Sequence, residues 1–397
     1  MTAPYAGRRR IRFGTFDAES WWRPDDLAVL PSAGSGDPAV ATMDELLAGF
    51  CTPGDLLITR QPVFEGVLAG YGTSFDHQSV DHPGPGPVEQ FLPPLDNQVV
   101  APYAVLAPFP SLPTPEVVAQ VNSKTWSNNL VVELGLPGAG QVVRSADELV
   151  AAVTDFPVLV KDPYGVSGRS LLEVPTPGVL RAIERVLRKQ PDRRVELIVQ
   201  PKYPKKHDFS GHVELARDGT WDFLGLQQMT NKGFRHYGSS PAPTALIDEG
   251  WYADSLTEVV AALHTAGYWG PVGIDAMVLD DDSVVPVLEI NARQSLGLLA
   301  LHLNRRSDDL TAHLWQLELN VAPGHGIRDL LHALKGLLST GDRPGAMVLN
   351  GTHLTAPGGR VHVAIFCPDG RLPSWQHRLL AAVTAAGLTP RGMTDAA

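Results

Sequence analysis

Cysteine is nearly absent. Only Cys51 and Cys367 occur in 397 residues, and neither sits in a CxxC or other ligand spacing, so a disulfide framework and a structural zinc site are both poorly supported. No stretch approaches the roughly 18–20 apolar residues needed to span a bilayer. The start carries Arg8, Arg9 and Arg10, but Asp17 and Glu19 come too soon after them for a signal-peptide core to form. Positive charge is in deficit, with 32 Lys and Arg against 43 Asp and Glu and a formal charge of −11. That balance argues against nucleic acid or an anionic membrane as the main partner. No internal repeat of fixed period is visible. A soluble cytoplasmic protein is the resulting expectation.

The chain is rich instead in glycine and proline, 38 and 34 residues, with 44% hydrophobic and 19% charged residues. This is a globular, loop-rich composition unlike that of a long helical bundle. At roughly 150 residues per domain, two or three domains are expected.

Short strands are expected at 11–16 and 56–59, with an amphipathic helix at 43–50 between them. A Pro/Gly-rich passage from 82 to 115 marks the first boundary. Residues 116–134 read as one helix, closed by turn chemistry at 135–138. Another helix is expected at 145–154, with Ser145 as N-cap and Glu148 at capping-box spacing. Strands come next at 158–161, 170–174, 196–200, 211–216 and 221–226, with a helix at 177–189. A helix at 255–266 leads into a hairpin, 272–279 and 284–291, whose tip is the acidic run 280–282. The remainder holds a helix (327–338), strands (346–349 and 361–367) and a final helix (376–386). This order suggests α+β layers and not one doubly wound sheet throughout.

The most informative segment is Gly273-Ile274-Asp275 together with Glu289-Ile290-Asn291-Ala292-Arg293. Side chains alternate along a strand, so Glu289 and Asn291 share a face. A tight hairpin would set Asp275 beside Leu288 or Glu289. Two carboxylates and a carboxamide are hard ligands of the sort Mg²⁺ takes with bound phosphate. The plainer alternative pairs Glu289 with an arginine and makes Asp275 a turn cap. A second element runs from Val158 to Leu172: a strand ending in Lys161, then a small-residue loop with Gly165, Ser167 and Gly168. Glycines let backbone N–H groups face an anion, and the lysine adds a point charge. Its spacing is neither a P-loop nor a dinucleotide fingerprint. Lys124 stands upstream in a helix. His207, His212 and His236 each read as structural or surface residues before any catalytic role.

A helix lysine, a strand lysine with a glycine-rich loop, a hinge strand and Asp…Glu-x-Asn-x-Arg occur here in one order. That order resembles the ATP-grasp superfamily over about residues 116–305. The resemblance implies two α+β subdomains clamping ATP, behind an α/β N-terminal domain. The expected division is 1–115, a lid subdomain 116–195, a core subdomain 196–310 and a C-terminal extension 311–397. It also implies roles: Lys124 and Lys161 on the ATP phosphates, and Gly165, Ser167 and Gly168 closing over them. Gln200, Lys202 and Tyr203 would read adenine, with Asp208 near the ribose. Gln200 and Asp208 stand where many members carry glutamate. Asp275, Glu289 and Asn291 resemble magnesium ligands, and Arg293 the arginine that meets the γ-phosphate or acyl phosphate.

The implied activity is an ATP-dependent carboxylate–amine ligase forming an amide or peptide bond between small molecules, amino acids or a short peptide. Arg235, in a polar loop at 227–240, would clamp a carboxylate. Ser295 and Gly297 would hold the second substrate near a helix N-terminus. A carboxylase-like or formate-using enzyme, and a nucleotide-binding regulator without catalysis, are the rivals. The tail beyond 310 would cover the substrate site or support a homodimer.

Overall fold

The computed structural model describes residues 9–30, 38–82, 86–95, 98–165 and 171–391. The N-terminal part holds β1 (Arg10–Phe13), α1 (Ala18–Trp22), β2 (Leu56–Thr59), α2 (Glu65–Gly70), β3 (Asp76–Ser79) and β4 (Val99–Pro102). Its sheet has the order β3-β2-β1-β4, and every pairing is parallel. Parallel neighbours need crossover connections, which is why these four-residue strands lie far apart in sequence. The chain runs from β1 through β2 to β3 on one side and then crosses to β4 on the other, so the strand order reverses between β1 and β4, where a crevice is expected outside their carboxyl ends. Residues 38–50 wind as a 3-10 helix where an α-helix over 43–50 was expected. The polar β3 and the short β4 fall outside the strands expected from sequence, β4 within the Pro/Gly-rich passage.

Next come α3 (Pro115–Val121), α4 (Lys124–Glu133), β5 (Gln141–Val143), α5 (Ala146–Ala152), β6 (Val158–Lys161), β7 (Leu171–Val174), α6 (Pro177–Arg188) and β8 (Leu197–Pro201). The expected single helix over 116–134 is two. Asn122 breaks it, its Nδ2 donating to Val118 O (2.8 Å) and to Ala292 O (3.2 Å). Asx side chains compete with the helical ladder in this way. Ser145 does cap α5, accepting from Glu148 N at 3.0 Å, but Glu148 reaches back to Arg144 N and not to Ser145. Strands β5-β8-β6-β7 form a small antiparallel sheet with its own core, including Val160, Val199, Leu149 and Ile183. β8, which a division at residue 196 places with the core, is hydrogen-bonded in this smaller sheet.

The remaining elements are β9 (Lys205–Leu215), β10 (Trp221–Lys232), β11 (Arg235–Pro241), α7 (Glu249–Ser255), α8 (Thr257–Thr265), β12 (Gly270–Leu279), β13 (Val284–Asn291), α9 (Leu296–Asn304), β14 (Thr311–Asn320), α10 (Ile327–Leu334), β15 (Gly345–Val348), β16 (Gly358–Cys367), α11 (Leu372–Ala385) and β17 (Thr389–Pro390). They make one sheet, β13-β12-β9-β10-β11-β14-β16-β15, with β17 beside β14. The C-terminal extension therefore continues the core sheet. Residues 227–240, expected as a polar loop, are instead the paired halves of a hairpin, from Gln227↔Pro241 to Lys232↔Arg235. Cys51 and Cys367 are buried and unpaired. Among the described residues no helix is long and apolar enough to cross a membrane.

One face of this sheet is sealed by α7 and α8. Tyr252 packs edge-on against Phe209 (centroids 5.1 Å apart), and its hydroxyl donates to Pro286 O at 3.0 Å. Gly211 makes room for that ring, since a Cβ there would lie 2.3 Å from Tyr252 Cε1. At the sheet edge, α4 lies against β13, and Ser127 Oγ accepts from Ile290 N at 3.2 Å. Gly211→Ala is expected to cost about 1–3 kcal/mol by overpacking, read as a lower urea midpoint with an unchanged slope; an unchanged midpoint would show that Tyr252 has space to yield.

Candidate active site

The β12–β13 pairing sets Asp275 directly opposite Glu289, and Gly273 opposite Asn291. Side chains at facing positions share a face, so Asp275, Glu289 and Asn291 come together on the side away from α7 and α8. Asn291 Nδ2 donates to Asp275 Oδ2 at 3.2 Å. Glu289 pairs with Lys124 Nζ, and not with an arginine. Lys124 occupies the first position of α4, where its backbone N–H donates to Pro163 O at 2.9 Å. That bond ties the start of α4 to the segment after β6, bringing Lys124 beside Lys161.

The lysine at the end of β6 is buried, with 9% of its surface exposed. Burial lowers its pKa to about 8, with Glu289 and Asp275 opposing the shift and Lys124 adding to it. Burial followed by the charge of Glu289 pushes Asp275 up to about 7. Burial acts on Glu289 in the same sense, but Lys124, Lys161 and Arg293 outweigh it and hold this carboxylate below its usual range. Hard oxygen donors from two carboxylates and a carboxamide suit magnesium, and Glu289 already takes a cationic ammonium. These residues therefore fit the metal that sequence reasoning placed here.

Arg293 follows β13 and turns toward the N-terminal domain. Its Nε donates to Glu19 Oε1 at 3.1 Å, and Nη2 donates to the same oxygen. Nη1 donates to Tyr103 Oη at 3.0 Å and to Gln294 O at 3.3 Å. The guanidinium carbon lies 5.4 Å from the centroid of the Tyr103 ring, which stacks on Phe16 at 3.8 Å. Burial works against the charge on Arg293, but Glu19 overrides it and the pKa is raised. Sequence reading missed Glu19 and Tyr103 as site residues, because their partner lies far along the chain and no local motif marks them.

A narrow cleft between the two sheets is lined by Lys124, Lys161, Gly138, Ile198, Gln200 and Val287. Gln200 is buried there, with Nε2 donating to Gly138 O, so its carbonyl oxygen remains as acceptor. Lys202 points away, pairing with Glu173 at 2.7 Å, while its backbone N–H donates to Pro157 O at 3.4 Å. Tyr203 is half-buried. Asp208 sits on β9 opposite Met277, pairs with Lys205 and accepts from Asn231 Nδ2 at 2.8 Å. Gly165 bonds through its N–H to Asp162 O at 3.4 Å; Ser167 and Gly168 lie outside the described residues.

Arg235 is exposed at the turn of the β10–β11 hairpin. Ser295 caps α9, its Oγ accepting from Leu298 N at 3.1 Å. Gly297 lets that helix approach β9, since a Cβ would meet His212 Nε2 at 2.5 Å. His212 is held near Ser210 Oγ (3.0 Å), and burial lowers it to about 3, so it is a neutral packing residue.

No protein-family model matches the sequence, and no curated protein matches it. Solved structures do. N5-carboxyaminoimidazole synthetase from Staphylococcus aureus is 11% identical, covering 96% of this chain and 98% of that one with a TM-score of 0.60. The ATP complex of carboxyaminoimidazole ribonucleotide synthase from Aspergillus clavatus is 13% identical over 96% and 98%, TM-score 0.53. The biotin carboxylase domain of Hydrogenobacter thermophilus 2-oxoglutarate carboxylase, with MgADP, ADP and bicarbonate, is 10% identical over 96% and 91%, TM-score 0.54. Similarity of shape at such low identity speaks for the fold: a parallel N-terminal α/β sheet followed by antiparallel sheets, the ATP-grasp fold.

Proposed function

We propose that this chain is an ATP-dependent ligase that activates a small-molecule carboxylate as an acyl phosphate and couples it to an amine. The observation that carries this reading is the convergence of Lys124, Lys161 and Arg293 on the half-buried Asp275–Glu289 pair. Phosphoryl transfer asks little covalent chemistry of a protein and much positioning and charge stabilisation. Lys124 and Lys161 would bind the phosphate oxygens of ATP, and Gln200 Oε1 would accept from an exocyclic amine of the base. Asp275, Glu289 and Asn291 would hold magnesium, which neutralises phosphate charge when bound. The substrate carboxylate attacks the γ-phosphorus, the bond to the ADP oxygen breaks, and an amine then displaces phosphate from the acyl carbon. Arg293 would follow the negative charge from the transferred phosphoryl to the acyl oxygen.

A second reading is favoured by the match, along nearly the whole chain, to the carboxylase domain bound to bicarbonate. Bicarbonate would then replace the organic acid. One experiment separates the two: ADP release across a matrix of acids, amines and bicarbonate, with mass-spectrometric identification of products. Bicarbonate-dependent ADP release without an organic acid would overturn the ligase reading; magnesium–ATP binding without turnover on any pair would favour a regulator.

Glu289→Gln is expected to lower turnover by about two to three orders of magnitude, the scale of losing a principal electrostatic stabiliser, with the unfolding midpoint retained. Near-normal turnover would sink its metal role. Arg293→Ala should reduce kcat more than ATP affinity, and a pure loss of ATP binding would contradict its place at the acyl group. Because Lys161 is charged below about pH 8 and neutral above it, kcat/KM for ATP should fall as pH rises through that value in the free enzyme. A flat alkaline limb would remove Lys161 from phosphate binding.

A further inference from the structure

We propose that Glu19, on α1 of the N-terminal domain, is a positioning residue that holds Arg293 in place over the site. The local sequence explains how a five-residue helix achieves this. Ala18 and Trp22, four apart, are buried on one side, and Trp22 Nε1 donates to Val105 O at 3.2 Å. Residues at that spacing share a helix face, so α1 is anchored through them. Glu19 is buried with them, at 4% exposure. A carboxylate so placed is costly unless it is paired, and its partner is Arg293.

The geometry differs from that of a closed structural ion pair. Arginine–carboxylate pairs commonly use both oxygens in a parallel fork. Here Nε and Nη2 both go to Oε1, while Oε2 is buried and receives no hydrogen bond from the described residues. Nη2 carries two N–H groups and, among the described residues, makes one hydrogen bond. Tyr103 fixes Nη1 and underlies the guanidinium. The arginine is thus held from the N-terminal side, by Glu19 and Tyr103. Buried polar groups left unpaired in this way are unusual.

The same helix has a second hold on the site. Arg23, the residue after α1, pairs with the buried Asp162, which follows Lys161. Asp162 Oδ1 also accepts from Tyr164 N at 2.9 Å. One short segment therefore fixes Arg293 with Glu19 and the end of β6 with Arg23. The positions of the acyl-phosphate arginine and the phosphate lysine are set by the same element, an assignment of roles that rests on the ligase reading.

Arg293 reactivity tests Glu19 without requiring turnover. Labelling with phenylglyoxal, followed by mass spectrometry of the Arg293 peptide, should be slow in the wild type and several-fold faster in Glu19→Gln. Glu19→Asp should be intermediate, and Arg23→Gln should leave Arg293 labelling at the wild-type rate. Arg12, buried beside Asp55 at 3.2 Å, is the internal reference. A parallel rise at Arg12 would report global loosening and overturn the assignment, as would Arg293 labelling at the wild-type rate in both Glu19 variants. With a substrate pair in hand, Glu19→Gln should lower kcat by about 10- to 100-fold, the scale of a misplaced catalytic group, with KM for ATP little changed and part of the loss recovered in Glu19→Asp. Loss confined to KM for ATP would contradict it. If no substrate pair turns over in the wild type, the ligase reading fails alone, and labelling still decides the role of Glu19.

Discussion

Two carboxylates facing each other across neighbouring strands set the terms for the rest of this molecule. Asp275 and Glu289 are opposite in register, and like charges so placed in a half-buried site repel strongly. The fold answers by bringing cations from separate places. Lys124 comes from the first turn of α4, Lys161 from the end of a strand in the smaller sheet, and Arg293 from the segment after β13. No single element could supply all three. The small sheet, the large sheet and the helix between them all contribute to balancing one pair of charges, while the N-terminal domain holds Arg293 through Glu19.

The balance is also asymmetric. Glu289 receives most of the positive charge and stays ionised, while Asp275 is pushed up by burial and by its neighbour. Environments that separate the pKa values of two similar groups are common at sites that do chemistry. Here the separation arises from which carboxylate faces the lysines, since both residues sit on the same sheet face.

Much of this is legible in the amino-acid sequence. The hairpin carrying Asp275, Glu289 and Asn291 is visible because apolar residues alternate on both sides of an acidic turn, and strand periodicity then fixes the shared face. Lys161 at a strand end was equally readable. The elements that escaped did so for physical causes. The hairpin through Gln227 and Arg235 is made of polar residues whose partners are each other, so composition suggests a loop. β3 reads Asp-His-Gln-Ser and gains its strand state from β2 alongside. The break between α3 and α4 depends on Asn122 reaching Ala292. Glu19 meets Arg293 across 274 residues, a contact that no local pattern encodes.

The strand bearing Glu289 and Asn291 is the last in its sheet, and such edges invite another strand to add. Here Ser127 Oγ occupies the N–H of Ile290, the group a newcomer would need. The helix that blocks the edge is α4, which also carries Lys124. Protection from edge-to-edge aggregation and delivery of the site's cation are therefore one structural act. A change that loosened α4 would expose a sheet edge and leave Glu289 without its ammonium partner at the same time.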